Sequence, residues 1–552
     1  MPSRQRRMPN AGKPDWYVSH PIAETLLTAP PGCGKTEGIA RWLRVLVERG
    51  ELLPPRRALG LTFSNKAKAN LRSRLRRELG PRWWRWATVT NFHGWAFHLH
   101  QHHCTSIGLD PLEIAPQRGW QATTTRAICR EYECEEEELQ RVLRSCKLGA
   151  YDDDTVIERL DDYGMGAALA YEQRIREAGR RDFNDLIRLG LLVLGEPRVV
   201  SLYRERFAVV VVDEVQDLSL AQFDLASPIA PGRTLWAGDA AQGIYGFAGA
   251  QPDLVVERIR GRDACEIELT ASYRSSPPVL RAVSALSKAL GGQDVRAASE
   301  DEWEGRGRLV SLRTKDARQE ADWVAATVED WMDEDPALSV GVIARAKGRR
   351  KWVDEEIQRR GLLAEIWDFP AHRPSIVELL VRHLPLVDPA LDRGEAVEDL
   401  YLRCYVDIDD LDLDSQDELN EVFDTIGELV VEMSLADIVS GIRISSSPED
   451  PVGPGLHLLN GHVGKGQQFD RVIIVGLEEA FLPHYRAMKS GRAEDLDAEL
   501  AVLHVMASRA REQLVVATCE LVPNWQGENR RRDPSRWFGL IEAEVDQVID
   551  AR

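Results

Sequence analysis

Short, nearly unbroken apolar runs alternate along this chain with segments of helical spacing. Glu24 to Thr28 reads as a buried strand, and helical spacing follows from Lys35 to Val47. Arg57 to Phe63 reads as a second strand, followed by an Arg-rich helix through Leu71 and Leu75. Val209 to Val212 is all valine, the pattern of a strand buried on both faces. Thr234 to Ala237 is a further strand. A second set lies near Leu309–Leu312, Val340–Ile343 and Glu365–Trp367, and resumes at Leu456–Leu459, Val472–Val475 and Gln513–Cys519.

Two stretches interrupt this alternation. Residues from about 98 to 180 are polar and helix-like, with acidic clusters at Glu131–Glu138 and Asp152–Asp154. Residues from about 370 to 450 are helix-like and strongly acidic, with Asp407, Asp409, Asp410, Asp412, Asp414, Asp417 and Glu418. The expected fold class is α/β: parallel sheets flanked by helices, in two sets, each carrying a mainly helical insertion.

Acidic residues outnumber basic ones, 89 to 70, for a net charge of −19. Bulk charge therefore offers nothing to a nucleic acid, and any such site must be a local basic or aromatic groove. No apolar run is long enough to span a bilayer, and the basic amino terminus lacks the apolar core of a signal peptide. A cytoplasmic protein without a membrane partner is expected. Four of the eight cysteines, Cys104, Cys129, Cys134 and Cys146, follow a run containing His98, His100, His102 and His103. They lack a tight C-x-x-C pair, so reduced thiols are expected rather than a metal site.

The chemistry concentrates where strands end. The first strand runs into Ala29-Pro-Pro-Gly-Cys-Gly-Lys-Thr36, a phosphate-binding loop with alanine where the generic pattern has glycine. Gly32, Cys33 and Gly34 would turn backbone N–H groups toward phosphate oxygens, helped by the helix dipole. Lys35 would reach the β- and γ-phosphates, and Thr36 would ligate Mg²⁺. The valine strand ends in Asp213-Glu-Val-Gln-Asp217. Opposite a phosphate loop, Asp213 is suited to hold the Mg²⁺ ion and Glu214 to orient and activate the attacking water.

Further motifs follow in order. They are Thr62-Phe-Ser-Asn-Lys-Ala, Thr90 to Phe97, Gly238 to Ala250 with Gln242, Tyr273-Arg274, His462 to Phe469, Ser508-Arg509-Ala510 and Pro534-Ser-Arg-Trp-Phe. Together with the phosphate loop and acidic box, this ordered set resembles the UvrD/Rep family of superfamily 1 helicases over about residues 22 to 540. The resemblance implies two RecA-like lobes with ATP and Mg²⁺ between them. Lobe one would comprise 1–92 and 181–268, with an insertion at 93–180. Lobe two would comprise 269–369 and 452–545, with a short acidic insertion at 370–451. It further implies that Gln242 senses the γ-phosphate, that Arg274 and Arg509 act as arginine fingers from lobe two, and that Tyr273 and Gly466 contact nucleotide. Phe63, Asn65, His93, Tyr245, Phe247 and His462 match positions beside single-stranded DNA.

The implied activity is ATP-driven movement on single-stranded DNA, 3′→5′, with duplex unwinding, as in DNA repair. The alternative is a DNA-sensing ATPase subunit with a nuclease partner, as in Gabija-type antiviral defence. Glu37 stands where the family often has an arginine on the adenine, and no adenine-reading glutamine motif precedes the loop. Weak base discrimination is therefore expected. Ala248, Gln468, Leu500 and Ala501 also depart from the family pattern.

Overall fold

The computed structural model describes residues 16–112, 118–243, 249–303, 305–367, 371–372, 374–407, 434–444, 452–461, 467–524 and 528–552. Residues 419, 422, 423, 426, 427 and 430 are described as well. The first sheet contains β1 (Thr25–Thr28), β2 (Arg57–Thr62), β3 (Ala87–Asn91), β4 (Phe207–Asp213), β5 (Thr234–Gly238) and β6 (Cys265–Glu268). Its order is β3-β2-β4-β5-β1-β6, and every pairing is parallel. Strand alternation explains the valine run. Val210 and Val212 enter the core on one face, with Phe92, Trp95 and Trp236. Val209 and Val211 enter the core on the other, with Ile39, Trp42 and Leu71.

A two-stranded ribbon, β7 (Ala271–Ser272) and β8 (Arg296–Ala297), follows the first sheet. The second sheet begins with β9 (Arg308–Asp316), β10 (Ser339–Ala344) and β11 (Ala364–Ile366). β12 (Ala371–His372) and β13 (Arg443–Ile444) pair around the second insertion. The sheet is completed by β14 (Gly455–Asn460), β15 (Phe469–Val475), β16 (Ala510–Pro523), β17 (Asn529–Arg531) and β18 (Gln547–Ala551). Its order is β11-β14-β10-β15-β16-β9-β18, with β17 antiparallel on β16. The same alternation divides its faces: Val472 and Ile474 go to one core, Ile473 and Val475 to the other.

Both interruptions are helical. Helices Arg118–Tyr132, Glu136–Lys147, Asp153–Tyr163 and Gly166–Glu177 share a small core of their own. The structure differs from the expected boundary at residue 93. Helix Phe92–His103 sends Phe92, Trp95, Ala96 and Leu99 into the first sheet's core. Their i, i+3, i+4, i+7 spacing is an apolar stripe hidden in sequence by the intervening histidines. Helices Pro374–His383, Arg393–Val406 and Leu435–Gly441 surround the second insertion's core of Ile376, Leu380, Leu400 and Phe423.

A buried ion cluster ties the first insertion to the first sheet's helices. Lys147 Nζ lies 2.8 Å from Glu172, 2.9 Å from Asp182 and 2.7 Å from Asp185, all four side chains fully buried. Asp182 and Asp185 also form the capping box of helix Phe183–Leu194. Among the described residues, no helix is long and apolar enough to cross a membrane.

Candidate active site

The phosphate loop leaves β1 and closes on helix Lys35–Glu48. Gly32 and Gly34 adopt φ of 81° and 80°, the left-handed region that glycine enters without strain. Gly32 is required for a second reason: a Cβ there would lie 2.4 Å from Arg274 Cβ and 2.5 Å from Ser272 Oγ. The segment after β6 presses directly on the loop, where Tyr273 N donates to Gly32 O at 3.0 Å and Ser272 Oγ to Pro31 O at 3.2 Å.

Lys35 Nζ sits 3.2 Å from Asp213 Oδ1 and 3.0 Å from Glu214 Oε2. Burial opposes its charge, but the two carboxylates overcome burial and hold it above the usual lysine range. Burial pushes Asp213 upward, with Glu214 adding to the rise and Lys35 opposing it. Thr36 Oγ1 donates to Asp213 Oδ2 at 3.3 Å. A hydroxyl beside a carboxylate offers the hard oxygen donors that Mg²⁺ prefers, so these residues fit the ion. Cys33 is fully buried, and burial followed by Asp239 pushes its thiol up to about 12, so it contributes backbone rather than thiolate chemistry.

Glu214 lies just past β4 at φ 62°, an uncommon conformation for a residue with a Cβ. Its carboxylate accepts from Gln216 Nε2 as well as from Lys35. The carbonyl oxygen of the same Gln216 side-chain amide, Oε1, in turn accepts from Asp239 N at 3.0 Å. A Cβ on Gly238 would lie 2.7 Å from that carbonyl oxygen, so glycine is needed at this position. Asp239 accepts from Ala241 N at 3.1 Å and from Gln242 Nε2 at 2.8 Å. A hydrogen-bonded path thus runs from Glu214 through Gln216 and Asp239 to Gln242. Gln216 and Asp239 lie inside the recognised motifs, but sequence reasoning gave them no role, because their partners are in a different motif.

Helix Pro277–Ala289 packs into the second sheet's core, so the segment before it bridges the two halves. Ser275 Oγ donates to Ala510 O at 2.6 Å and Ser276 Oγ to Glu512 O at 2.8 Å. Arg274 is drawn into the loop site, where burial lowers its pKa to about 10, with Cys33, Arg74, Arg511 and Glu214 as charged neighbours. It remains a cation at neutral pH. Arg509 is 2% exposed, and its Nη2 donates to the Gly461 carbonyl at 2.9 Å, within the second half.

Phe63 lies half-buried just past β2. Asn65 opens helix Asn65–Leu79. His93, in the first turn after β3, packs edge-on against Phe183 at 5.2 Å. β2 and β3 are neighbours, so all three positions share the carboxyl edge of the sheet. Tyr245, Phe247, His462 and Gly466 lie outside the described residues, as does the Asn65 side chain.

Of the four grouped cysteines, Cys129 and Cys134 approach to 3.4 Å, while Cys146 Sγ donates to Arg159 O at 3.5 Å. Two other groups of potential ligands converge among the described residues: Glu172–Asp182–Asp185 and Glu320–Glu478–Cys519. A cation of the chain already enters each, Lys147 in the first and Arg349 in the second.

Residues 15–260 match the UvrD/REP helicase N-terminal domain, and residues 395–521 match the UvrD-like helicase C-terminal domain. The chain belongs to the UvrD/Rep-like helicase family. ATP-dependent DNA helicase UvrD1 of Mycobacterium leprae is 23% identical over 96% of this chain and 85% of its own length. DNA helicase II of Escherichia coli is 25% identical over 63% of this chain and 50% of its own. ATP-dependent DNA helicase UvrD2 of Mycobacterium tuberculosis is 26% identical over 65% of this chain and 54% of its own. The match thus spans about half the length of the latter two. Within this family, the two parallel sheets correspond to the RecA-like lobes.

Proposed function

We propose that this chain is an ATP-hydrolysing DNA helicase that moves 3′→5′ along single-stranded DNA and separates duplexes ahead of it. The observation that carries the reading is the phosphate loop held between Asp213 and Glu214 on one side and the Ser272–Arg274 segment on the other. Family membership supports the helicase class.

In the mechanism, Lys35 exchanges its carboxylate partners for the β- and γ-phosphates of ATP. That exchange leaves Asp213 and Thr36 as the residues that would hold Mg²⁺, which when bound would neutralise charge on the triphosphate. It also frees Glu214 to accept a proton from the attacking water, while Gln216 fixes the carboxylate's orientation. Gln242 would sense the γ-phosphate, and Arg274 would stabilise the charge that develops there. Arg509 joins on closure of the lobes, which requires it to leave the Gly461 carbonyl. Because Arg274 is bonded through its neighbours to β16, hydrolysis and lobe movement are linked. Phe63, Asn65 and His93 form part of a sequence-indifferent track along the carboxyl edge, where an aromatic face can stack on any base. Tyr245, Phe247 and His462 are proposed to continue it.

A strand-displacement assay on duplexes with 3′ or 5′ single-stranded tails tests this reading. The expected result is ATP-dependent displacement of the 3′-tailed duplex alone. Displacement from the 5′ tail would reverse the polarity. ATP hydrolysis with DNA but without displacement would instead favour the DNA-sensing subunit.

A further inference from the structure

Helix Ala493–Ala507, which precedes Arg509, carries His504 on the side that packs against the Ala240–Gln242 turn of lobe one. The His504 ring is fully buried, and among the described residues neither of its nitrogens has a hydrogen-bond partner of full geometry. Across the lobe boundary it faces the Asp239 carboxylate and approaches the Ala241 backbone as a hydrogen-bonding group, without closing a full bond. Burial lowers its pKa, with Asp239 and Ala241 opposing, so the ring is neutral and retains one N–H donor. A buried donor and acceptor left unpaired are costly, and a phenylalanine would fill the same space without that cost. The turn it faces is closely packed: a Cβ on Gly292, in the second half, would lie 3.2 Å from Ala241 Cβ. It is also the end of the path from Glu214 through Gln216 and Asp239 to Gln242.

We propose that His504 is a positioning residue: when nucleotide closes the lobes, its imidazole N–H donates to the Ala241 carbonyl and fixes Gln242 against the γ-phosphate. This rests on the ATP-site reading above. The helix that delivers Arg509 would then set Gln242 in the same movement, so the two γ-phosphate contacts form together. His504 touches neither nucleotide nor water. It acts through the turn.

The test uses the full chain with His504→Phe, which keeps volume and removes the donor, and His504→Gln, which restores a donor. Amide hydrogen exchange is read with and without a non-hydrolysable ATP analogue, beside fluorescent-nucleotide binding and thermal melting. The expected result is that the analogue protects the Ala241 and Gln242 amides in the wild type and in His504→Gln, but not in His504→Phe. His504→Phe should melt no lower than the wild type, and all three proteins should bind nucleotide alike. In steady state, kcat of His504→Phe should fall about tenfold with KM for ATP unchanged, and His504→Gln should recover most of it. Equal protection in all three proteins would overturn the proposal. So would a His504→Gln variant as impaired as His504→Phe, since that would make the role one of packing. Nucleotide binding by the wild type without protection at the turn overturns this proposal alone. Failure of the wild type to bind nucleotide overturns the ATP-site reading as well.

Discussion

Two lysines in this chain are clasped by carboxylates, and they do opposite things. Lys147 is sealed: three carboxylates surround it and nothing in the cluster is exposed. Lys35 meets Asp213 and Glu214 at similar distances, yet it keeps 11% of its side-chain surface and Glu214 keeps 25%. Both ammonium groups are held above the ordinary lysine range by the same balance, burial opposing and carboxylates prevailing. The difference lies in what can replace the partners. Lys35 follows a loop of left-handed glycines, and in the proposed mechanism the loop's N–H groups take phosphate while the lysine's carboxylate partners are placeholders. Lys147 joins helices from two regions, and no ligand can reach it. A buried ion pair marks a working site only where one partner can be exchanged.

Lys35→Ala separates the two roles most sharply. It should lower ATP hydrolysis by about 10³-fold or more while leaving the melting temperature near that of the wild type, as read by steady-state kinetics and calorimetry. Lys147→Met should do the reverse. It strands three buried carboxylates and should cost about 3–5 kcal/mol in denaturant unfolding. That loss should shrink as pH falls toward 5. Burial already pushes Asp182 up to about 6, and Glu172 and the Lys147 charge modulate it further. Without the lysine, the folded state binds more protons than the unfolded chain above the ordinary aspartate range. Stability of the variant therefore falls as pH rises through that window and recovers as pH drops.

Gln216→Ala probes the orientation of Glu214 rather than its charge. It should reduce kcat about tenfold and leave KM for ATP nearly unchanged. The smallest effect concerns the base. Glu37 is held by Arg74 at 2.8 Å and Arg41 at 2.9 Å, and by Arg77. Its carboxylate is therefore occupied within the protein, and we expect no adenine readout from it. GTP and ATP should be hydrolysed within about tenfold of each other in side-by-side kcat/KM measurements.

The parts of the fold and site that were legible in the sequence are those whose partners are close along the chain. The phosphate loop announces itself because glycine, lysine and threonine must be consecutive to wrap one phosphate group. The acidic box follows an unbroken valine run that can only be a doubly buried strand. What was not legible depends on distant pairings. Glu37 looked like a departure from the family pattern, but its physical reason, the arginines of helix Asn65–Leu79, lies some forty residues away. Gln216 and Asp239 needed the β4–β5 pairing to bring their motifs together. His504 sits in an apolar helix and carries no signal until the other lobe is placed against it. Helix Phe92–His103 reads in sequence as part of the insertion because its histidines mask the stripe that buries it.

ATP hydrolysis by the purified chain, with and without single-stranded DNA and beside Lys35→Ala, tests the central claim most directly. The account predicts hydrolysis strongly stimulated by DNA and abolished by Lys35→Ala. Hydrolysis that ignores DNA, or that survives loss of Lys35, would contradict it.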